Sequence, residues 1–172
     1  MQYQHIIWDW NGTIVDDLEL AVELANLELQ AAGLPPLSAH QHRAAFQIPI
    51  IRYYEAIGMT MTPELAAAVD QAFHRNYDEA RHRLTAFPDI FPAMQTLGTK
   101  SCKHSVLSAL PHDLLTEHVE HLNLGSSFER VIGRTTTHAE SKVEAGRKLI
   151  ADLQLQPQHV LIIGDTIYDH EV

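Results

Sequence analysis

Four short runs of the sequence read as β-strands: His5 to Trp8, His104 to Leu107, Arg130 to Ile132 and His159 to Ile163. Ile6-Ile7-Trp8 and Val160-Leu161-Ile162-Ile163 are continuously apolar and leave no solvent face, so all four strands are expected to be buried on both sides. Strands of that kind belong to a parallel sheet with helices packed on both faces. Helical segments do lie between the last three runs. Pro111 to Leu122 carries Leu115, Val119 and Leu122 on one face; Ser141 to Leu153 carries Val143, Gly146, Leu149, Ile150 and Leu153 on one stripe, before Gln156-Pro157 breaks the chain. The fold class that follows is α/β, built from strand-helix-strand units.

The interval from about Asp16 to Leu84 interrupts this rhythm, because it shows only helical patterns and far exceeds an ordinary crossover. A first helix has Leu18, Ala21, Val22, Ala25 and Leu29 on one face and stops at Gly33, ahead of Pro35-Pro36. Ser38 reads as the N-cap of a short second helix. Thr62-Pro63-Glu64 opens a longer one, with Leu65, Val69, Ala72, Phe73, Tyr77, Ala80 and Leu84 at helical spacing, and Phe87-Pro88-Asp89 marks the return to the core. A chain of 172 residues has room for one core and such an insertion, but hardly for two independent domains. Residues 1–15 and 85–172 are therefore expected to form the core, and 16–84 an all-helical cap.

Twelve Lys and Arg against 22 Asp and Glu give a net charge of -10, which repels polyanions and argues against a nucleic-acid partner. A phosphate ester could still bind where a metal ion or a few placed lysines reverse the local potential. Cys102 is the only cysteine, so no internal disulfide can form, and a reducing cytoplasm is the expected setting. The opening Met-Gln-Tyr-Gln-His lacks the basic region of a secretory signal, and no stretch approaches the roughly 20 apolar residues of a membrane span.

The polar residues fall at the carboxyl ends of the strands, where parallel sheets present ligands. After the first strand come Asp9-Trp10-Asn11-Gly12-Thr13: Asp9 points to the crevice, Gly12 allows a sharp turn with its N–H groups near an anion, and Thr13 can hydrogen-bond within the turn. Taken alone, the segment is equally a polar turn. The fourth strand ends in Gly164-Asp165-Thr166-Ile167-Tyr168-Asp169. Carboxylates brought together from two strand ends repel unless a hard cation neutralises them, and an oxygen-rich site suits Mg2+. Ser108-Ala109 offers a hydroxyl and a backbone N–H for phosphate oxygens, while Lys142 could reach a phosphate oxygen and a carboxylate together. Either is also an ordinary residue when read singly.

In that order and spacing, Asp9 to Thr13, Ser108, Lys142 and Gly164 to Asp169 resemble the four motifs of the haloacid dehalogenase superfamily, within it the phosphoglycolate-phosphatase-like hydrolases with a helical cap. The resemblance implies a Rossmann-like core and an aspartyl phosphate formed by attack of Asp9 on a small phosphorylated metabolite. It further implies Mg2+ held by Asp9, Asp165 and the Asn11 carbonyl with Asp169 beside it, and phosphoryl oxygens held by Ser108 and Lys142, with Gly12 and Ala109 adding backbone contacts. The cap would close over the crevice and select the substrate. One position departs from the family: its phosphatases carry Asp two residues after the nucleophile to protonate the leaving oxygen and activate water, and Asn11 can do neither efficiently. A weak or inactive phosphate-binding protein is therefore the alternative reading. Dehalogenation fits less well, since dehalogenases lack the acidic set that Asp165 and Asp169 suggest.

The family also continues past the fourth motif through a further helix and strand, so the resemblance predicts a missing C-terminal strand and helix, an unpaired side along Val160 to Ile163, and a tendency to dimerise. His118 and His121 stand at i,i+3 and read as a solvated face rather than a metal pair. His42, Arg43 and Arg52 read as surface residues of the cap, and Tyr53 and Tyr54 as its packing.

Overall fold

A computed structural model describes residues 2–135 and 142–172. The chain runs through β1 (His5–Trp8), α1 (Leu18–Ala31), α2 (Ala39–Ala45), α3 (Ile50–Ala56), α4 (Pro63–Glu79) and α5 (Ile90–Gly98). It continues through β2 (Lys103–Pro111), α6 (His112–His121), β3 (Arg130–Arg134), α7 (Lys142–Asp152), β4 (Val160–Ile163) and α8 (Ile167–Glu171). The four strands form one sheet in the order β3-β2-β1-β4, with every pairing parallel. This is the α/β, Rossmann-like fold expected from the sequence.

Register places the chemistry. His5 pairs with both Lys103 and Val160, and Trp8 with both Val106 and Ile163, so β1, β2 and β4 start level and Asp9 leaves the sheet beside Gly164. Ile7, Leu107 and Leu149 make one core cluster, against which Ile132, Ile150, Val160 and Ile162 pack. Each such side chain, fully buried, contributes about 1.5–3 kcal/mol.

Burial on both faces holds for β1, which is buried at every residue, but β4 is only half-buried throughout and β3 mostly so. These two are the outer strands of the order, with a neighbour on one side only. β2 also runs past the expected end at Leu107 as far as Pro111, with an irregular register between those residues. The expected start of the next-to-last helix at Ser141 lies outside the described residues.

Two compact units emerge, Met1–Asp16 with Leu84–Val172, and Asp17–Arg83. In the second, the Ser38 side chain accepts from Gln41 N–H in a capping box, and Thr62 caps α4 with Pro63 in its first turn. Asn26 pins the link between α1 and α2, accepting from Leu37 N–H at 2.8 Å and donating to its carbonyl at 3.1 Å. Ala25, Leu29, Leu37, Tyr53, Tyr54, Met59 and Val69 form the core of this unit, so both tyrosines pack as expected. The α1 face is rotated slightly from the expected one, with Leu20 and Leu24 buried beside Ala25 and Leu29.

Two histidines correct the sequence reading. His42 is buried, because its Nδ1 meets the Tyr53 hydroxyl at 2.7 Å and its ring packs edge-on to Tyr53, whereas Arg43 and Arg52 are exposed. His118 is 1% exposed, three residues from Leu115 and next to Val119 on the inward face of α6, whereas His121 faces solvent.

Candidate active site

Asp9 continues the ladder beyond β1, donating its N–H to the Ile163 carbonyl at 2.8 Å. The chain then turns tightly: the Ile14 and Val15 N–H groups both donate to the Trp10 carbonyl, and Gly12 N–H donates to the Val15 carbonyl. Gly12 sits at φ +68°, and a Cβ there would overlap the Asp165 carboxylate. Only glycine meets both conditions. Thr13 Oγ1, expected to bond within the turn, has no hydrogen-bond partner among the described residues, since backbone groups close the turn themselves. Asn11 lies half-buried in the same loop.

The end of β4 is shaped in the same way. A Cβ on Gly164 would overlap the Asp169 carboxylate, so the small residue is what lets Asp169 fold back. Thr166 N–H and Oγ1 both donate to Asp169 Oδ2, at 3.0 and 2.7 Å, in a capping box at the start of α8. The other oxygen, Oδ1, accepts from Lys142 Nζ at 2.5 Å, and the same ammonium donates to Asp9 Oδ1 at 2.5 Å. Carboxylate oxygens of Asp9, Asp165 and Asp169 all lie within 4.8 Å of one another. Residues separated by up to 160 positions thus converge on one point, at the carboxyl end of β1 and β4.

The electrostatics follow from crowding. Burial pushes Asp9 up to about 6, with the charge of Asp169 adding to the rise and the Lys142 ammonium opposing it. Burial acts in the same sense on Asp169, but the bonds from Lys142 and Thr166 outweigh it and hold that carboxyl below its usual range. The two acids differ because Asp169 has donors on both oxygens. Burial also disfavours the Lys142 ammonium, yet Asp9 and Asp169 more than offset this and raise it. Among the described residues the Lys142 ammonium bonds two of the three carboxylates, and the ligand atoms gathered here are all oxygens, so a hard divalent cation fits the cluster.

Ser108 stands within β2, not after it as expected. With Trp8 paired to Val106, it lies one residue further along its strand than Asp9 does on β1. It is buried, and its Oγ accepts from Leu110 N–H at 3.2 Å across the strand irregularity, which leaves its own proton to donate. Ala109 is exposed. Sequence reasoning assigned no part to Thr166. The signal was the spacing Thr-x-x-Asp, a capping pattern at a helix start.

The chain matches the sequence profile of the haloacid dehalogenase-like hydrolases over residues 6–172. It belongs to that family. Along 168 residues it is 26% identical to a phosphoglycolate phosphatase of Synechococcus elongatus, covering 98% of this chain and 77% of the relative. It is 24% identical to the pyrophosphatase PpaX of Anoxybacillus flavithermus, covering 98% of this chain and 78% of that one. A haloacid dehalogenase-like family hydrolase from Streptococcus pneumoniae has the same fold, with a TM-score of 0.80 at 19% identity over 98% of this chain and 78% of its own. This protein is a hydrolase of that family, similar along its whole length to phosphatases. Among the described residues no helix is long and apolar enough to cross a membrane.

Proposed function

We propose that the protein is a cytoplasmic Mg2+-dependent hydrolase of a small organic phosphate monoester, with Asp9 as the nucleophile. The observation that carries this reading is the convergence of Asp9, Asp165 and Asp169 at the carboxyl end of the sheet, with the Lys142 ammonium bonded to Asp9 and Asp169. Asp9 attacks phosphorus as the ester P–O bond breaks and the alcohol leaves, and water then hydrolyses the aspartyl phosphate, releasing inorganic phosphate and restoring the Asp9 carboxylate. Lys142, with Ser108 and backbone N–H groups near Gly12 and Ala109, holds the phosphoryl oxygens as charge moves onto them. Asp169 fixes Lys142 and is itself fixed by Thr166. Asp9, Asp165 and the Asn11 carbonyl would hold Mg2+, which supplies charge neutralisation between carboxylates and phosphate when bound, with Asp169 at its side. Residues 16–84 serve as the cap in this reading.

Asn11 is the weak point, because an amide neither protonates a leaving alkoxide nor deprotonates water efficiently. It supports a second reading, in which the protein binds phosphorylated ligands and turns them over poorly. The similarity to a phosphoglycolate phosphatase and to a pyrophosphatase makes phosphoglycolate and pyrophosphate the first ligands to try. A panel of phosphate esters assayed with and without Mg2+ tests both readings. Metal-dependent release of phosphate that disappears in Asp9→Asn supports the hydrolase; tight ligand binding with no release under any metal condition supports the binder.

A further inference from the structure

Two peptide steps, Asp16–Asp17 and Arg83–Leu84, join the helical unit to the rest of the chain. On one side of them, Phe87 N–H donates to the Ile14 carbonyl and Asp16 N–H to the Thr85 carbonyl, each at 2.9 Å, so residues 14–16 and 85–87 run as a short antiparallel pair. Val15 is also bonded to Trp10 and Gly12, which makes this pair an extension of the turn that carries Asp9. On the other side, each end is fastened within the helical unit itself. Asp17, its first residue, is the N-cap of α1, yet the side chain makes no capping bond, and Oδ2 accepts instead from the Tyr77 hydroxyl of α4 at 2.8 Å. Aspartate ranks with the strongest N-caps, so its use elsewhere calls for a reason. Arg83, the last residue, grips Glu23 of α1 with two bonds, Nη1 to Oε1 at 3.0 Å and Nη2 to Oε2 at 2.6 Å. Forked pairs of this kind fix orientation as well as charge.

We propose that Asp17–Tyr77 and Glu23–Arg83 are positioning pairs, which confine bending between the two units to the steps Asp16–Asp17 and Arg83–Leu84. Given residues 16–84 as the cap of the proposed hydrolase, on which this rests, fastening both ends makes the helical unit turn as one body. Because the paired linkers extend the Asp9 turn, that movement is referred to the nucleophile. The two pairs differ in strength. Asp17 and Tyr77 are 6% and 0% exposed, so water does not compete for their bond, whereas Glu23 and Arg83 are exposed and salt screens their attraction. Loosening either end adds conformations that do not close on a ligand. Apparent affinity then falls by the fraction of molecules that remain competent, while the chemical step inside the closed complex keeps its rate. The expected signature is a raised KM at constant kcat.

Tyr77→Phe tests this, since it deletes one hydroxyl and keeps the ring. Amide hydrogen exchange of the full chain should show Ala21 N–H, which donates to the Asp17 carbonyl, exchanging about tenfold faster, while Leu34 N–H at the far end of α1 keeps its rate. With p-nitrophenyl phosphate and Mg2+, KM should rise about tenfold and kcat stay within about twofold. Arg83→Met should raise KM by about twofold, a difference that high salt abolishes. If Tyr77→Phe does not fold, Asp17→Asn keeps the side-chain size and reads the same bond. Exchange that is unchanged at Ala21, or faster across the whole helical unit, overturns the proposal, as does a fall in kcat at constant KM. Should wild type release no phosphate, the hydrolase reading fails by itself, and the exchange rates alone decide whether the pairs confine the bending.

Discussion

Replacing Lys142 with methionine keeps the length of the side chain and removes the ammonium that lies 2.5 Å from both Asp9 and Asp169. The two carboxylates then lose their shared counter-charge. Breaking a buried ion pair by deleting one partner costs about 3–5 kcal/mol, and the 18% exposure of the Lys142 side chain argues for the lower end, about 3 kcal/mol at pH 8. The loss depends on pH with a definite sign. Lys142 opposes the rise of Asp9, so without it the folded-state value climbs further above the 3.8 of a free Asp carboxyl. A carboxyl whose folded value is raised destabilises the fold from its unfolded value upward, and the cost levels off above the folded value, so the difference between wild type and variant opens only above the wild-type value of about 6. At pH 5 Asp9 carries its proton in wild type and variant alike, and only the Asp169 pairing is forfeited. Urea unfolding in EDTA at pH 5 and pH 8, at constant ionic strength, should give a clearly larger destabilisation at pH 8. Adding Asp9→Asn to the Lys142→Met variant should recover much of the loss. Equal losses at the two pH values, or none at pH 8, would refute the view that Lys142 neutralises Asp9.

Three further outcomes are expected. Asn11→Asp should raise turnover of alkyl phosphates by about 10²–10⁴-fold, roughly 3–5 kcal/mol of barrier, and that of aryl phosphates clearly less, because a phenolate leaves without a proton; equal alkyl rates in fresh, mass-checked wild type and variant would remove Asn11 as the limiting defect. Gly164→Ala should cost about 1–3 kcal/mol and most of the activity, since its Cβ meets the Asp169 carboxylate; an unchanged melting temperature and rate would contradict that packing. His5, His42 and His104 are all held below their usual range, chiefly by burial, so the unfolded chain binds their protons more readily. Stability should therefore fall as pH drops below about 6.5 and level off beneath the folded-state values, and thermal unfolding of Asp9→Asn, which removes the opposing titration of Asp9, should show that slope from pH 8 to 5.

How much of this was legible in the sequence differs by element. The parallel sheet could be read because Ile6 to Trp8 and Val160 to Ile163 are apolar without alternation. The finer burial could not, because position at the outside of a sheet leaves no mark on a strand's own composition, and β4 is half-buried despite its four aliphatic residues. The glycines at 12 and 164 were visible, but not the reason for them, which is contact with carboxylates close in space. His42 and His118 were misjudged for one cause: a histidine on a helix looks polar until a partner such as the Tyr53 hydroxyl, or an inward face shared with Leu115, is known. Lys142 and Thr166 acquire meaning only from the convergence of β1, β4 and the start of α7.

The central claim is that Asp9 forms a covalent bond to phosphorus. Rapid acid quenching of the protein during turnover of an aryl phosphate with Mg2+, followed by peptide mass spectrometry, tests it directly. A phosphoryl mass increment on the peptide containing Asp9, absent from Asp9→Asn, is the expected result, strengthened in wild type by the slow hydrolysis that Asn11 imposes. Sustained turnover by Asp9→Asn, or turnover by wild type with the phosphoryl group on another residue, would contradict it.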